Sequence, residues 1–242
     1  MSSVLSLSAG ASLLPLGRLA DMHGGYPVFN AGMLWFSAWS LAAGFMTSPV
    51  PFIVCRAMQG LGASAFLPTG IMLLGRVYRP GPRKNFVFGM YGAIAPAGFW
   101  AGMIVGGVAA EKLTWRWFFW IGSAASFVAA GVSIVAVPRD KGAPGVTMDW
   151  WGLGTICPGL VLLVFAITQS SGAPKGWGEP YIIASVVLGV LFLIAGWYVE
   201  GRVSPDPFLP AEIFKPKCMK QMLIALFLAY GTFGIFLYYS NF

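Results

Sequence analysis

The chain consists of long apolar stretches separated by short polar ones. An α-helix rises about 1.5 Å per residue, so roughly 20 apolar residues cross the hydrocarbon core of a bilayer. Most of the stretches approach that length, and the first is shorter. The pattern predicts an all-α fold, a polytopic transmembrane helical bundle of about eight segments. These segments are 3–16, 28–47, 51–75, 86–110, 115–137, 150–169, 181–199 and 219–239.

Composition supports a membrane protein. Charged residues make up 10% of the chain and hydrophobic residues 57%, whereas a soluble domain carries about 25% charged residues. The chain therefore lacks the polar groups for a hydrated surface, and we expect the lipid bilayer to be its main partner. The net charge of +7 is scattered over loops and forms no basic stripe, which argues against nucleic-acid binding.

The loops alternate in charge. Of the 15 Lys and Arg residues, eleven lie in or beside the loops at 17–27, 76–85, 138–149 and 201–218. Only three lie in or beside the loops at 48–50, 111–114 and 170–180. Because positive residues are retained on the cytoplasmic side of a membrane, the first set of loops is predicted to be cytoplasmic.

Arg56 is the remaining basic residue, and it lies inside an apolar segment. A charge at membrane depth costs about 3 kcal/mol, so it should face protein or a wet cavity. Gln59 and Gly60 follow at i+3 and i+4, on the same helix face. We predict that these three residues line a path for substrate or protons. The alternative is an arginine that extends its side chain to the outer interface.

Residues 17–25 have the composition of a short polar turn between two apolar segments. We predict a cytoplasmic gating loop that contains Gly17, Arg18, Asp21 and Gly24. In it, Asp21 would form a breakable ion pair or lie at the N-terminus of a neighbouring helix, where the helix dipole favours negative charge. A solvated turn is the alternative.

Glycines recur at intervals of four in the fourth segment. Gly98, Gly102 and Gly106 fall on one helix face, with Gly107 beside them. A stripe of glycines lets another helix approach closely. We predict a helix-packing motif, which serves either as a contact between moving helices or as ordinary close packing.

Candidate chemistry for an enzyme is absent from the sequence. The single histidine excludes a metal site built on several histidines, and the segments contain no paired carboxylates. A phosphate-binding GxxxxGK[ST] loop is also missing. Cys55 and Cys157 lie in apolar segments without metal-ligand spacing and are interpreted as packing residues. We therefore predict no enzymatic activity, no cofactor and no metal.

Taken together, three motifs resemble those of the major facilitator superfamily. The stretch 17–25 resembles its loop between helices two and three, with Leu19, Asp21 and Gly24 on the pattern. The stretch 56–63 resembles the fourth-helix motif, whose arginine is linked to proton coupling. The stretch 98–107 resembles the fifth-helix motif of antiporters.

Further stretches are similar to one branch of that family. Residues 149–152 and 207–210 resemble the fourteen-helix drug:proton antiporters. Residues 78–85 and 115–121 resemble fungal members, which include low-affinity ammonium transporters and aminotriazole-resistance and boron exporters. The chain departs from the family patterns at two places. Met22, Tyr26 and Pro27 occupy a region with basic residues in the loop motif, and Met103 replaces a proline of the fifth-helix motif.

The resemblance implies a partial major facilitator fold that covers about helices two to nine. Its parts would be an N-terminal half without its first helix (1–137), a cytoplasmic connector (138–149), two linking helices (150–200), a cytoplasmic loop (201–218) and the first helix of the C-terminal half (219–242). Because transport sites lie between two halves that move against each other, we expect these 242 residues alone not to transport.

The function implied by the resemblance is proton-coupled secondary transport of small solutes, with ammonium-like ions, borate or drugs as substrates. The full-length protein is expected to be a monomer in the plasma membrane, with the vacuolar membrane as the alternative. A truncated membrane protein that binds or sequesters a partner is the competing hypothesis. A heptahelical receptor is disfavoured, since eight segments are present and the outer loops are short.

Overall fold

A computed structural model of the chain describes residues 2–140, 142, 145–170, 172–204, 208 and 218–239. Within them the all-α prediction is confirmed, and no strand occurs. The helices are α1 (Ser2–His23), α2 (Gly25–Phe45), α3 (Pro49–Val77), α4 (Pro82–Lys112), α5 (Trp115–Ala136), α6 (Trp150–Ser170), α7 (Pro180–Arg202) and α8 (Met219–Tyr239), with a short 3₁₀ turn at Gly176–Gly178.

Six of these helices, α2 to α7, are long and apolar enough to cross a membrane by length and composition. Helix α1 has 22 residues, but five of them are serines and it ends in a charged turn. Large apolar side chains such as Phe45, Val135 and Trp197 lie on the outside of the bundle. Such a surface is stable in lipid and unfavourable in water.

The predicted extent of the polar turn at 17–25 is wrong. Helix α1 continues to His23 and α2 begins at Gly25, so only Gly24 lies between them. The chain reverses at Gly24, whose φ of +99° is open to glycine at no steric cost. Its N–H still donates to the Ala20 carbonyl at 2.8 Å. Polar residues end an apolar segment without ending a helix, which explains the error.

Helices α1, α2, α3 and α5 form the main body. Helix α3 packs against both α1 and α2, and α2 also packs against α5. The α2–α3 contact is close because it uses small residues. A Cβ on Gly32 would lie 2.7 Å from the Ala65 Cβ and 3.1 Å from the Gly62 carbonyl oxygen, so the two backbones approach closely only where a side chain is missing.

The remaining helices lie outside this body. Helices α6 and α7 form a hairpin that contacts α1 through α6. Helix α4 touches mainly α5, and among its residues only Ala109 is buried. Helix α8 makes no extensive contact with the other described helices. Since loops alternate between the two ends of the bundle, the ends of α1, α3 and α5 lie together, at the end predicted to be cytoplasmic.

Candidate functional site

Arg56 lies about two turns into α3, toward the end of the bundle where α5 begins. Its Nη1 donates to Gln59 Oε1 at 3.1 Å. The guanidinium carbon lies 5.2 Å from the Phe119 ring centroid and 6.0 Å from that of Phe52. Gln59 is fully buried, and its Nε2 donates to Ser40 Oγ at 3.0 Å. The structure thus brings Arg56 and Gln59 together and joins α2, α3 and α5 around them.

All these contacts of Arg56 are with uncharged groups. No ion pair to Arg56 is present within the described part of the chain, and its buried Nε has no hydrogen-bond partner there. A cation over an aromatic ring gains about 0.5–2 kcal/mol, and Arg56 is half-buried. Within the described residues, its positive charge is therefore stabilised by rings and an amide and is not neutralised by a carboxylate.

Gly60 faces α1. A Cβ at this position would collide with Ser8 Oγ and would lie 2.6 Å from the Leu5 carbonyl oxygen and 3.0 Å from the Ala9 nitrogen. Within the described helices, Gly60 is therefore a close contact between α3 and α1. The place of Arg56, Gln59 and Gly60 on a transport path remains a prediction.

At the other end of α3, one arginine joins two carboxylates. Arg76 Nη1 lies 2.7 Å from Asp140 Oδ2, and Arg76 Nη2 lies 3.4 Å from Asp21 Oδ1. Asp21 belongs to α1, Arg76 to the last turn of α3, and Asp140 follows α5. The three residues therefore hold together the ends of three helices.

Asp140 also binds the N-terminus of α2. Its carboxylate accepts hydrogen bonds from the Gly25 N–H at 3.0 Å and the Tyr26 N–H at 2.8 Å, two amides that the helix itself leaves without partners. The position at the N-terminus of a helix that the sequence suggested for Asp21 is here occupied by Asp140. A negative charge is stabilised there by the helix dipole as well.

These contacts decide the charge of Asp140. Burial by itself would raise the pKa of the Asp140 carboxyl group. The hydrogen bonds from Tyr26 and Gly25 and the Arg76 guanidinium outweigh that effect, so the pKa lies below its ordinary value. Asp140 is therefore ionised at neutral pH, as an ion pair with Arg76 requires.

The four residues predicted to form a gating loop all lie at this end. Arg18 Nε donates to the Thr147 carbonyl at 2.9 Å. A Cβ on Gly24 would lie 2.7 Å from the Asp140 carbonyl oxygen. Gly17 and Asp21 line a cavity of about 210 Å³ between α1 and α3. The structure thus groups these residues, while their part in gating remains a prediction.

The glycine stripe of α4 lies on an open face. A Cβ on Gly98, Gly102 or Gly107 would meet nothing within 4 Å, and one on Gly106 would lie 3.2 Å from the Phe118 ring. Three of the four glycines therefore have no neighbouring helix within the described part of the chain. Their packing role stays a prediction.

Sequence reasoning missed Arg76 and Asp140 as members of the candidate site. Both charges follow apolar segments at the predicted cytoplasmic end, and this position was a signal that an ion pair could form. It did not identify the partners, because three other basic residues occur between 76 and 85 and Arg139 precedes Asp140. The aromatic partner Phe119 was missed because ring contacts across helices leave no mark in sequence spacing.

Comparison with known proteins extends this description. The Major Facilitator Superfamily profile matches residues 1–242. The low affinity ammonium transporter of Saccharomyces cerevisiae is 36% identical, over 99% of this chain and 48% of that protein. The efflux pump terJ of Aspergillus terreus is 34% identical, over 97% and 46%. The aminotriazole resistance protein of Saccharomyces cerevisiae is 36% identical, over 96% and 44%.

The chain spans about half the length of these relatives. The profile match nevertheless covers every residue of it, and the all-helical bundle of long apolar helices agrees with that match. The resemblance inferred from the three motifs is confirmed. The chain forms part of an integral, multi-pass membrane protein, and it belongs to the Major Facilitator Superfamily.

Proposed function

We propose that the full-length protein is a proton-coupled secondary transporter of small solutes. This chain would supply most of the N-terminal half, the two linking helices and the first helix of the C-terminal half. The observation that carries the proposal is the half-buried Arg56, which is held in an apolar span by Gln59 and aromatic rings without a carboxylate among the described residues. A charge kept at such a cost in a membrane segment is characteristic of substrate and ion pathways.

In the proposed mechanism, Arg56 acts through its positive charge. The guanidinium would attract an anionic or dipolar group, and it would favour loss of a proton from a carboxyl group that another part of the complete protein places beside it. The contacts of Arg56 within the described residues, Gln59, Phe52 and Phe119, include no such acid. Gln59 fixes the orientation of Arg56 through the hydrogen bond at 3.1 Å and ties it to Ser40.

The opposite end would control access from the cytoplasm. Asp21 and Arg18 would belong to this gate together with Gly17 and Gly24, and the glycine stripe of α4 would form a contact with a moving helix. The contacts of Arg76 with Asp21 and Asp140 support the proposal, because they are partly exposed ion pairs that join the ends of different helices and can break when a transporter changes conformation.

The names of the relatives support a substrate class for the proposal. They refer to ammonium, aminotriazole resistance and efflux, so we propose an ammonium-like ion or a toxic organic compound as substrate. Borate is proposed as a further candidate from the resemblance of residues 78–85 and 115–121 to fungal exporters. We further propose that the protein is a monomer that carries no cofactor. We place it in the plasma membrane, with the vacuolar membrane as the alternative location.

The test is transport by the complete gene product in proteoliposomes with an imposed pH gradient. Candidate solutes come from a growth screen against ammonium, methylammonium, borate and toxic organic compounds, which also separates import from export. We expect flux of at least one solute that collapses when the gradient is removed. Flux that ignores the pH gradient would contradict proton coupling, and no flux for any solute would favour the non-transporting alternative.

A second measurement tests the need for both halves. Because transporter sites lie between two halves and this chain spans about half the length of its relatives, we expect no flux from residues 1–242 alone in the same liposomes. Flux at the rate of the complete protein would contradict this expectation.

A further inference from the structure

The linking hairpin of α6 and α7 is attached to α1 at two heights. Near its start, Arg18 Nε of α1 donates to the Thr147 carbonyl, two residues before the Asp149 that caps α6. Farther along, the Cys157 thiol of α6 donates to the Ala11 carbonyl of α1 at 3.1 Å. Two contacts at different heights fix both the position and the tilt of a helix.

The sequence explains why the Ala11 carbonyl is available. In an α-helix the carbonyl of residue 11 would accept a hydrogen bond from the N–H of residue 15, and residue 15 is proline, which has no N–H. An unpaired carbonyl within the bilayer costs free energy. The Cys157 thiol satisfies it, so Pro15 in α1 creates an acceptor for a donor from the linking hairpin.

The connector to α6 is also packed against the α1–α2 junction. Asp140 binds the first amides of α2. A Cβ on Gly142 would collide with the Met22 carbonyl and would lie 2.9 Å from the His23 nitrogen, so this backbone approach requires glycine. The chain that leads to α6 is thus held at Asp140, Gly142 and Thr147 before the helix begins.

From these contacts we propose that the linking hairpin is an integral part of the N-terminal half, which moves with α1 as one rigid body, and that Arg18 is a positioning residue. The inference rests on the proposed function, because it assigns the hairpin to one of the two moving halves of the transporter. The two linking helices then pack beside α1 as an extension of the N-terminal half and do not act as a flexible linker between the two halves.

The first test does not depend on transport. In the complete gene product, Arg18→Met removes the donor to Thr147 and keeps an unbranched side chain, and we expect amide hydrogen exchange in the first turns of α6 to rise several-fold. The matched control is Arg79→Met at an exposed arginine in the loop between α3 and α4, which should leave exchange in α6 unchanged. Equal exchange in α6 for Arg18→Met and the parent protein would overturn the positioning role.

The second test asks whether the hairpin moves relative to α1. In the complete gene product with every cysteine other than Cys157 replaced by serine, including Cys55 and Cys218, Ala11→Cys is cross-linked to the native Cys157 with a short bifunctional thiol reagent. The control is Gly10→Cys, whose Cβ would meet nothing within 4 Å and should give no cross-link. Cross-linking is detected by whether the two fragments stay joined after proteolysis in the connector.

If hairpin and α1 form one body, the cross-linked protein retains transport within about twofold of the uncross-linked sample. Arrest of transport by the cross-link would overturn the proposal, and so would failure of the Ala11→Cys protein to cross-link. Lack of transport in the uncross-linked parent would instead count against the proposed function, and the hydrogen-exchange comparison would still decide whether α6 is anchored on α1.

Discussion

Arg56 and Arg76 lie on the same helix, α3, and are held in opposite ways. Arg56, near one end, contacts an amide and two aromatic rings. Arg76, near the other end, pairs with two carboxylates. A guanidinium between carboxylates has its charge neutralised, whereas one among uncharged groups keeps its field. We therefore expect Arg76 to contribute mainly to stability and Arg56 mainly to transport.

The surroundings of each arginine support this division. The Arg76 ion pairs are partly exposed, with 34% of the arginine side chain accessible, so their strength is moderate and screened by salt. Arg56 lies beside the fully buried Gln59, where charges interact over longer distances. Substitutions at the two arginines and at their partners test this division of roles.

Replacing Arg56 should have the largest effect on transport. Arg56→Ala removes the positive charge that the site holds within an apolar span, and we expect the initial rate of flux driven by the pH gradient to fall about 100-fold, equivalent to about 3 kcal/mol. Arg56→Lys should not restore it, because lysine lacks the planar group that meets Gln59 and the rings. Arg79→Ala is the control. A normal rate for Arg56→Ala, at equal protein in the membrane, would contradict the assigned role.

Replacing Arg76 should affect stability more than Arg56→Ala does. We expect Arg76→Gln to lower the free energy of unfolding by about 1 kcal/mol, as befits a partly exposed ion pair, with a lower melting temperature in detergent. In the double variant, the losses from Arg76→Gln and Asp140→Asn should not add, because both changes break the same ion pair. Additive losses would show that the two residues act independently.

The aromatic contact of Arg56 predicts a smaller change in transport. Phe119→Leu keeps an apolar side chain but loses the ring face 5.2 Å from the guanidinium, which is worth about 0.5–2 kcal/mol. We expect a loss of roughly threefold to tenfold in rate. Phe127→Leu on the exposed face of the same helix is the matched control. Equal transport rates for the two variants would show that the cation–π contact does not contribute to transport.

Of these effects, the contribution of Asp140 to the pH dependence of stability should be the smallest near neutral pH. Since the pKa of Asp140 is depressed in the folded protein, its contribution is present above the ordinary carboxyl pKa of about 4 and is lost as pH falls through the lower folded value. Between pH 6 and 8, the parent protein and Asp140→Asn should therefore show the same change of melting temperature with pH. Below about pH 4, Asp140→Asn should show a shallower acid loss than the parent. Parallel profiles would contradict this origin of the pKa shift.

Much of the fold followed from the sequence because membrane helices satisfy their backbone hydrogen bonds internally. The long apolar runs indicated the number and order of the helices, and the basic loops indicated which ends lie together. Helix ends were harder to predict, as the continuation of α1 through Arg18 and Asp21 to His23 shows. Polar residues beyond the bilayer can stay helical, and hydropathy carries no information on that choice.

The candidate sites were predicted in part. The sequence singled out Arg56 with Gln59, because a charge inside an apolar run stands out and i+3 spacing places both on one face. It did not indicate three partners from elsewhere in the chain. Ser40 of α2 accepts a hydrogen bond from Gln59, Phe119 of α5 lies against Arg56, and Asp140, which follows α5, pairs with Arg76. Their participation depends on the packing of α2, α3 and α5, which spacing within one helix cannot define.

Composition and the length of the apolar runs indicate by themselves that this chain is a bundle of membrane helices with an arginine inside an apolar segment, because they decide which segments leave water. Which carboxylates meet Arg76 depends on the packing of the folded chain. Asp140, 64 residues from Arg76 along the chain, binds it at 2.7 Å and caps α2 as well, since the folded ends of three helices place those groups together. Contacts between distant residues arise from packing, and the local sequence around each of them does not contain that information.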